Sequence, residues 1–170
     1  MHLSKYIWIC VVIAALMGVV GFRVYRNQAP PTVSDSPIVY FDYSHNGSIS
    51  YDIYSYEVIR NEETGEMTVN YSLNCGYETY TLPADAEMMQ ALAELIDNHS
   101  LQKWDGFSET NSWVLDGYGF SLNVRFEDGD GITASGSNSF PDGYSDASSA
   151  IDELFQHYLK ENGITPEGGY

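Results

Sequence analysis

Apolar side chains recur at every second position in two stretches between residues 49 and 73, and that period decides what kind of core the chain can build. In "ISYDIYSYEVIR", residues 49–60, Ile49, Tyr51 and Ile53 fall on one side, with Tyr54, Tyr56 and Val58 on the other. In "MTVNYSL", Met67, Val69, Tyr71 and Leu73 alternate strictly with polar residues. Successive side chains of a strand point to opposite faces, whereas a helix repeats every ~3.6 residues, so both stretches are predicted strands. "NEETGE" between them has turn composition. "IVYFDY" (38–43) before them and "YETYTL" (77–82) after them complete four expected strands, the simplest arrangement of which is a meander.

The period then changes. In "PADAEMMQALAELIDNHSL", Met88, Leu92, Leu95 and Ile96 recur at helical spacing. Pro83 suits a first-turn position, and Asp85 and Glu87 suit the positive end of the helix dipole. "QKWDGFSETNSWVLDG" is expected to be a connection pinned by Trp104 and Phe107. "YGFSLNVRFE" and "GITASGS" are two further strands, with Phe120, Leu122, Val124 and Phe126 on one face. In "SDASSAIDELFQHYLKENG", Ala147, Ile151, Leu154, Phe155 and Tyr158 mark a last helix, with Asp142 or Ser145 as N-cap. Lys160, Gly163 and Pro166 are its stop signals. The expected order is β-β-β-β-α-β-β-α: an α+β domain with an antiparallel sheet of about six strands and two amphipathic helices on one face.

Residues 6–22, "YIWICVVIAALMGVVGF", hold no charged residue, with Lys5 before them and Arg23 and Arg26 after. Such a run is long enough to be expected as one transmembrane helix, an uncleaved signal anchor, since no A-x-A site follows it. Cys10 would then face lipid. The expected organisation is a cytoplasmic tail (1–5), the anchor (6–22), a Pro- and Ser-containing spacer (23–37), an extracytoplasmic domain (38–163) and a flexible tail (164–170). That makes the chain a single-pass cell-membrane protein held through residues 6–22.

Charge is distributed unevenly along the chain. Of its seven Lys and Arg, three precede residue 27, while all 24 acidic residues follow it, in a chain of net charge −17. So acidic a domain repels phosphate backbones, whose affinity for proteins comes from Lys and Arg displacing counterions, and nucleic acid is excluded as a partner. Cys75 is the only cysteine beyond the anchor, so neither a disulfide framework nor a cysteine-based zinc site can form.

"RFEDGDGITASGSNSFPDG", 125–143, raises the question of a metal loop. Placing Gly131 at the glycine of an EF-hand loop puts Phe126 where a ligand must stand, and starting the loop at Asp128 puts Ile132 at another ligand position. "DGDG" instead supplies the positive φ angles of a tight hairpin turn. Glu127, Asp128 and Asp130 are therefore at most weak cation ligands, and no metal or other cofactor is expected. No catalytic residue emerges either. The serine-rich "SGSNSFPDG" lacks the G-x-S-x-G elbow, and "SLQK" (100–103) matches S-x-x-K without the companion motifs. Paired carboxylates are too numerous to single out one glycosidase pair. Tyrosines on strands are the remaining candidates: of Tyr51, Tyr54, Tyr56 and Tyr71, those displayed on a sheet face that the helices leave uncovered would form a binding face.

The segment Leu101–Tyr144 resembles uncharacterised extracytoplasmic proteins of anaerobic Gram-positive bacteria. The resemblance rests on Trp104, Gly106 and Phe107; Asp116 and Gly117; Phe126, Asp128 and Gly129; and Gly136, Ser137, Asn138, Phe140 and Pro141. It implies a cell-envelope domain and carries no catalytic residue. The expected function is a non-enzymatic, membrane-anchored binding or interaction module with a protein or glycan partner in the envelope. The alternatives are a small carboxylate-based hydrolase acting on envelope polymers, or a weakly cation-binding structural domain.

Overall fold

The computed structural model describes residues 36–47, 53–73, 76, 78–113 and 117–165. Contacts divide the chain into a unit at Met1–Thr32 and a unit at Val33–Tyr170, and every described residue belongs to the second.

The elements are β1 (Ile38–Asn46), β2 (Ile53–Arg60), β3 (Met67–Leu73), β4 (Glu78–Pro83), helix α1 (Ala86–Asn98), a 3-10 turn (Leu101–Trp104), β5 (Ser108–Thr110), β6 (Gly119–Phe126), β7 (Gly131–Ser137) and helix α2 (Tyr144–Glu161). They form one seven-stranded sheet in the order β4-β3-β2-β1-β6-β7-β5. The first four strands are the expected meander, and the β6–β7 hairpin adds to it through β1 against β6, where Phe41 pairs with Val124 and Tyr43 with Leu122.

The expected six-stranded antiparallel sheet is corrected here. β5 is a seventh strand, and it runs parallel to β7, with Ser108 opposite Ser135, so the sheet is mixed. Three residues cannot show a period, and the chain reaches this edge through tertiary geometry. Gly106 N–H donates to the Thr133 carbonyl, and Ser135 N–H donates to the Phe107 carbonyl, so the stretch after Trp104 is laid along β7 before β5 begins.

The transmembrane expectation is also corrected. Among the described residues no helix is long and apolar enough to cross a membrane. Residues 6–22, Cys10 and most of the 23–37 spacer lie outside the described residues, as does Cys75.

Both helices contribute to one core cluster with a single sheet face. α1 supplies Met88, Leu92, Leu95 and Ile96, and α2 supplies Ala147, Ile151, Phe155, Tyr158 and Leu159. Strand residues of one parity meet them: Phe41 and Tyr43, Tyr56 and Val58, Val69 and Tyr71, and Phe120, Leu122 and Val124. Phe155 stacks on Tyr56 with ring centroids 4.4 Å apart and on Phe41 at 5.7 Å, placing the middle of α2 over β1 and β2. Burying an aromatic or large aliphatic side chain is worth about 1.5–3 kcal/mol, so this aromatic layer is a main part of the core energy.

Helix starts differ from expectation in detail. Pro83 ends β4, and the N-cap of α1 is Asp85, whose carboxylate accepts the Met88 N–H at 2.8 Å. The N-cap of α2 is Gly143, at φ +77°, and not Asp142 or Ser145. A left-handed residue is needed where the chain turns into the helix, and glycine adopts that conformation at least cost. The far end stops as expected, with Gly163 at φ +77° and the Ile164 N–H returning to the Leu159 carbonyl.

Candidate functional site

The sheet has two chemically distinct faces. Under the helices lies a tyrosine layer. Tyr56 and Tyr71 are 0% and 2% exposed, with rings stacked at 5.2 Å, and they pack in the core instead of forming a binding face. Tyr54 is half-buried against the same core, and Tyr51 lies outside the described residues. Period two placed Tyr54, Tyr56 and Val58 on one face correctly, but it could not say which face the helices would cover.

The buried phenols keep their hydroxyls satisfied from α2. Tyr56 donates to the Asp152 carboxylate and accepts from Gln156 Nε2 at 3.2 Å. The Tyr43 hydroxyl lies 2.7 Å from Ser148 Oγ and 3.0 Å from the Tyr144 hydroxyl. Burial pushes both Tyr43 and Tyr56 far above the ordinary phenol value, and the neighbouring Asp152 charge adds to the rise at Tyr56. These hydroxyls tie helix to sheet and stay protonated at any physiological pH.

The middle rows of the opposite face carry polar side chains, most of them short, with Tyr40, Ile53 and Ile59 towards the strand ends, and no described helix lies over it. The register aligns one hydroxyl from every strand into a single row: Thr79, Ser72, Ser55, Ser44, Ser121, Ser135 and Ser108. Within it Ser44 Oγ and Ser121 Oγ are 2.8 Å apart. The next row on the same face runs Thr81, Asn70, Glu57, Asp42, Asn123 and Thr133. Thr81 donates to Asn70 Oδ1 and Asn70 Nδ2 donates to Glu57, both at 2.8 Å, so three strands share one polar chain. Asp42 stands beside Glu57, and partial burial followed by the Glu57 charge raises its carboxyl above the usual range. Beyond this row the Arg125 guanidinium sits 4.3 Å over the Tyr40 ring.

Asp42 and Glu57 are neighbouring carboxylates with one raised pKa, a pattern that glycosidases use. They stand on an open sheet face, however, and neither lines either of the two concavities described next.

One concavity, of about 610 Å³, is built by the segment that the sequence marked out. Trp104, Phe107, Phe140 and Pro141 form its apolar surface, with Lys103 and Asp142 among its polar groups. Trp104 is 2% exposed, and its Nε1–H donates to the Asp142 carbonyl at 3.3 Å, so the tryptophan pins the approach to α2. The other, of about 570 Å³, lies between α1 and the ends of β1, β3 and β6, where Ile38, Met67, Met89, Ile96 and Phe126 make its apolar wall.

At the β6–β7 corner, the Asp128 carboxylate accepts the Asp130 N–H at 3.0 Å, and Gly129 takes φ +94°. Glu127 pairs with Arg60 at 2.6 Å. The acidic turn is thus a hairpin corner whose carboxylates Glu127 and Asp128 already have partners. Among the described residues no group of three His, Cys, Asp or Glu side chains is placed to hold a metal ion.

No protein-family model and no curated relative matches the chain. Sequence reasoning missed the hydroxyl row, because its members are spread over seven strands and share no local motif. Only the register brings them together.

Proposed function

We propose that the domain is a non-catalytic binding module that takes a hydroxyl-rich polymer, a glycan, on its polar sheet face. The observation that carries this reading is the row of seven Ser and Thr hydroxyls, one per strand, in register across the sheet. Adjacent strands lie ~4.8 Å apart, so the row repeats a donor and two acceptor lone pairs at that interval. Sugar hydroxyls have the same chemistry. Serine and threonine also lose little side-chain entropy when fixed, unlike the long Lys, Glu and Gln side chains common on exposed sheets. Glu57, Asp42, Asn70 and Asn123 in the second row add acceptors and amides beside the first. The acidic net charge favours neutral or amino-bearing sugars over phosphorylated ones.

The test is retention of the full chain on a panel of insoluble neutral and amino-sugar polysaccharides, with a glycan array alongside. Retention on at least one polymer, relieved by its soluble oligosaccharide, is the expected result. No retention on any of them would overturn the reading.

A further inference from the structure

The groove between α1 and the strand ends has the size of a small-molecule site, and its lining is divided about evenly between an apolar wall and polar groups that include Arg60, Gln90 and Asp97. Two methionines, Met67 and Met89, contribute to its wall, and unbranched thioethers reshape easily around a guest. Phe126, Ile38 and Ile96 provide the firmer part of the wall, at 7%, 7% and 1% exposure.

The charges at the mouth are selective. Arg60 lines the groove, but its guanidinium is already paired with Glu127 at 2.6 Å. Asp97 also lines it, and no described residue pairs with its carboxylate. Asp97 stands in the last turn of α1, a turn without a basic residue. The C-terminal end of a helix carries the negative end of its dipole, so a carboxylate there opposes helix stability and reinforces the negative potential. The β2–β3 turn, which contributes Gly65 to the wall, adds exposed Glu62, Glu63 and Glu66. An apolar guest with a positive end satisfies both the wall and the mouth, whereas an anionic amphiphile must displace Glu127 from Arg60.

We infer that this groove binds an organic cation, an alkyl or aryl group seated against Met67, Met89 and Phe126 with its ammonium group facing Asp97. This is a second site, on the helix side of the sheet, and it stands independently of glycan binding on the opposite face.

The experiment uses the full chain labelled with ¹³C in its methionine methyls and titrated with n-hexylammonium, n-hexanoate or n-hexanol. Hexylammonium is expected to shift the Met67 and Met89 methyl signals saturably and to bind at least ~5-fold more tightly than hexanoate, with hexanol between them. Asp97 is exposed on the helix surface, so D97N keeps the fold, verified by an unchanged circular dichroism spectrum. This variant should lower hexylammonium affinity about 5-fold and leave hexanol unaffected. Absence of a saturable shift at Met67 and Met89 would overturn the inference. So would hexanoate binding as tightly as hexylammonium, or D97N leaving hexylammonium affinity unchanged.

Discussion

Ser44 Oγ stands 2.8 Å from Ser121 Oγ across the β1–β6 seam, where the N-terminal meander meets the C-terminal hairpin. The pair is at the middle of the hydroxyl row. Replacing both with valine removes donor and acceptor together and leaves no orphaned partner, so stability should change by less than about 1 kcal/mol. Polysaccharide retention should fall at least ~10-fold, equivalent to about 1.4 kcal/mol. Chemical denaturation and the retention assay on the same variant check the two halves of this expectation, and retention equal to the parent would contradict a role for the row.

Alkaline pH should unfold the domain through its tyrosine layer. Burial raises the folded-state pKa of Tyr43, Tyr56, Tyr71 and Tyr144 above the ordinary value of 10.0. A group whose pKa is raised by folding contributes stability that is fully present below its unfolded value, and that contribution is lost as pH rises beyond it. Absorbance at 295 nm should therefore show the exposed phenols ionising near pH ~10, and the buried set only together with loss of the circular dichroism signal. A smooth titration of all tyrosines with the fold intact would refute this.

Asp42 acts with the same sign at lower pH. Its carboxyl is raised by partial burial and by Glu57, so the domain is more stable with Asp42 protonated, and that contribution fades as pH rises from the unfolded value of about 3.9 through the folded one. Asp42→Asn should be more stable than the parent at pH 7 by less than about 1 kcal/mol, since solvent screens a half-exposed group. The advantage should shrink towards pH 4. Urea titrations at both pH values measure it, and a D42N protein less stable than the parent at pH 7 would be the contrary result.

Gly136 lies on the helix-facing side of β7, where an added Cβ would stand 2.1 Å from the Ser139 carbonyl and 2.7 Å from the Phe120 ring. Gly136→Ala should cost about 1–3 kcal/mol, because the backbone at Ser139 has to move. Thermal melting reads the change. A loss below a few tenths of a kcal/mol would show that the 138–140 turn is looser than its geometry implies.

Calcium should not stabilise the β6–β7 corner. Glu127 is committed to Arg60, and Asp128 to its own turn. Melting in millimolar calcium and in excess chelator should agree within about 1 °C, whereas binding to the folded state alone would raise the midpoint. A rise of several degrees would restore the cation-binding reading.

The sequence by itself determined the elements and most of their order. Period two at Met67–Leu73 and Gly119–Phe126, and period 3.6 at Met88–Ile96 and Ala147–Tyr158, reflect which side chains must leave water, and that is local information. It also determined the hairpin at Asp128–Asp130, because the turn chemistry of glycine is local too. Tertiary structure alone decided the rest. Strand β5 exists because Gly106 and Phe107 bond to β7, and three residues carry no period of their own. Tyr56 and Tyr71 became core residues because the helices settled on their face, which alternation leaves undetermined. The hydroxyl row and the groove beside Asp97 are products of register and of helix placement. Both join residues far apart in the chain, whose proximity is fixed only when the whole core is buried at once.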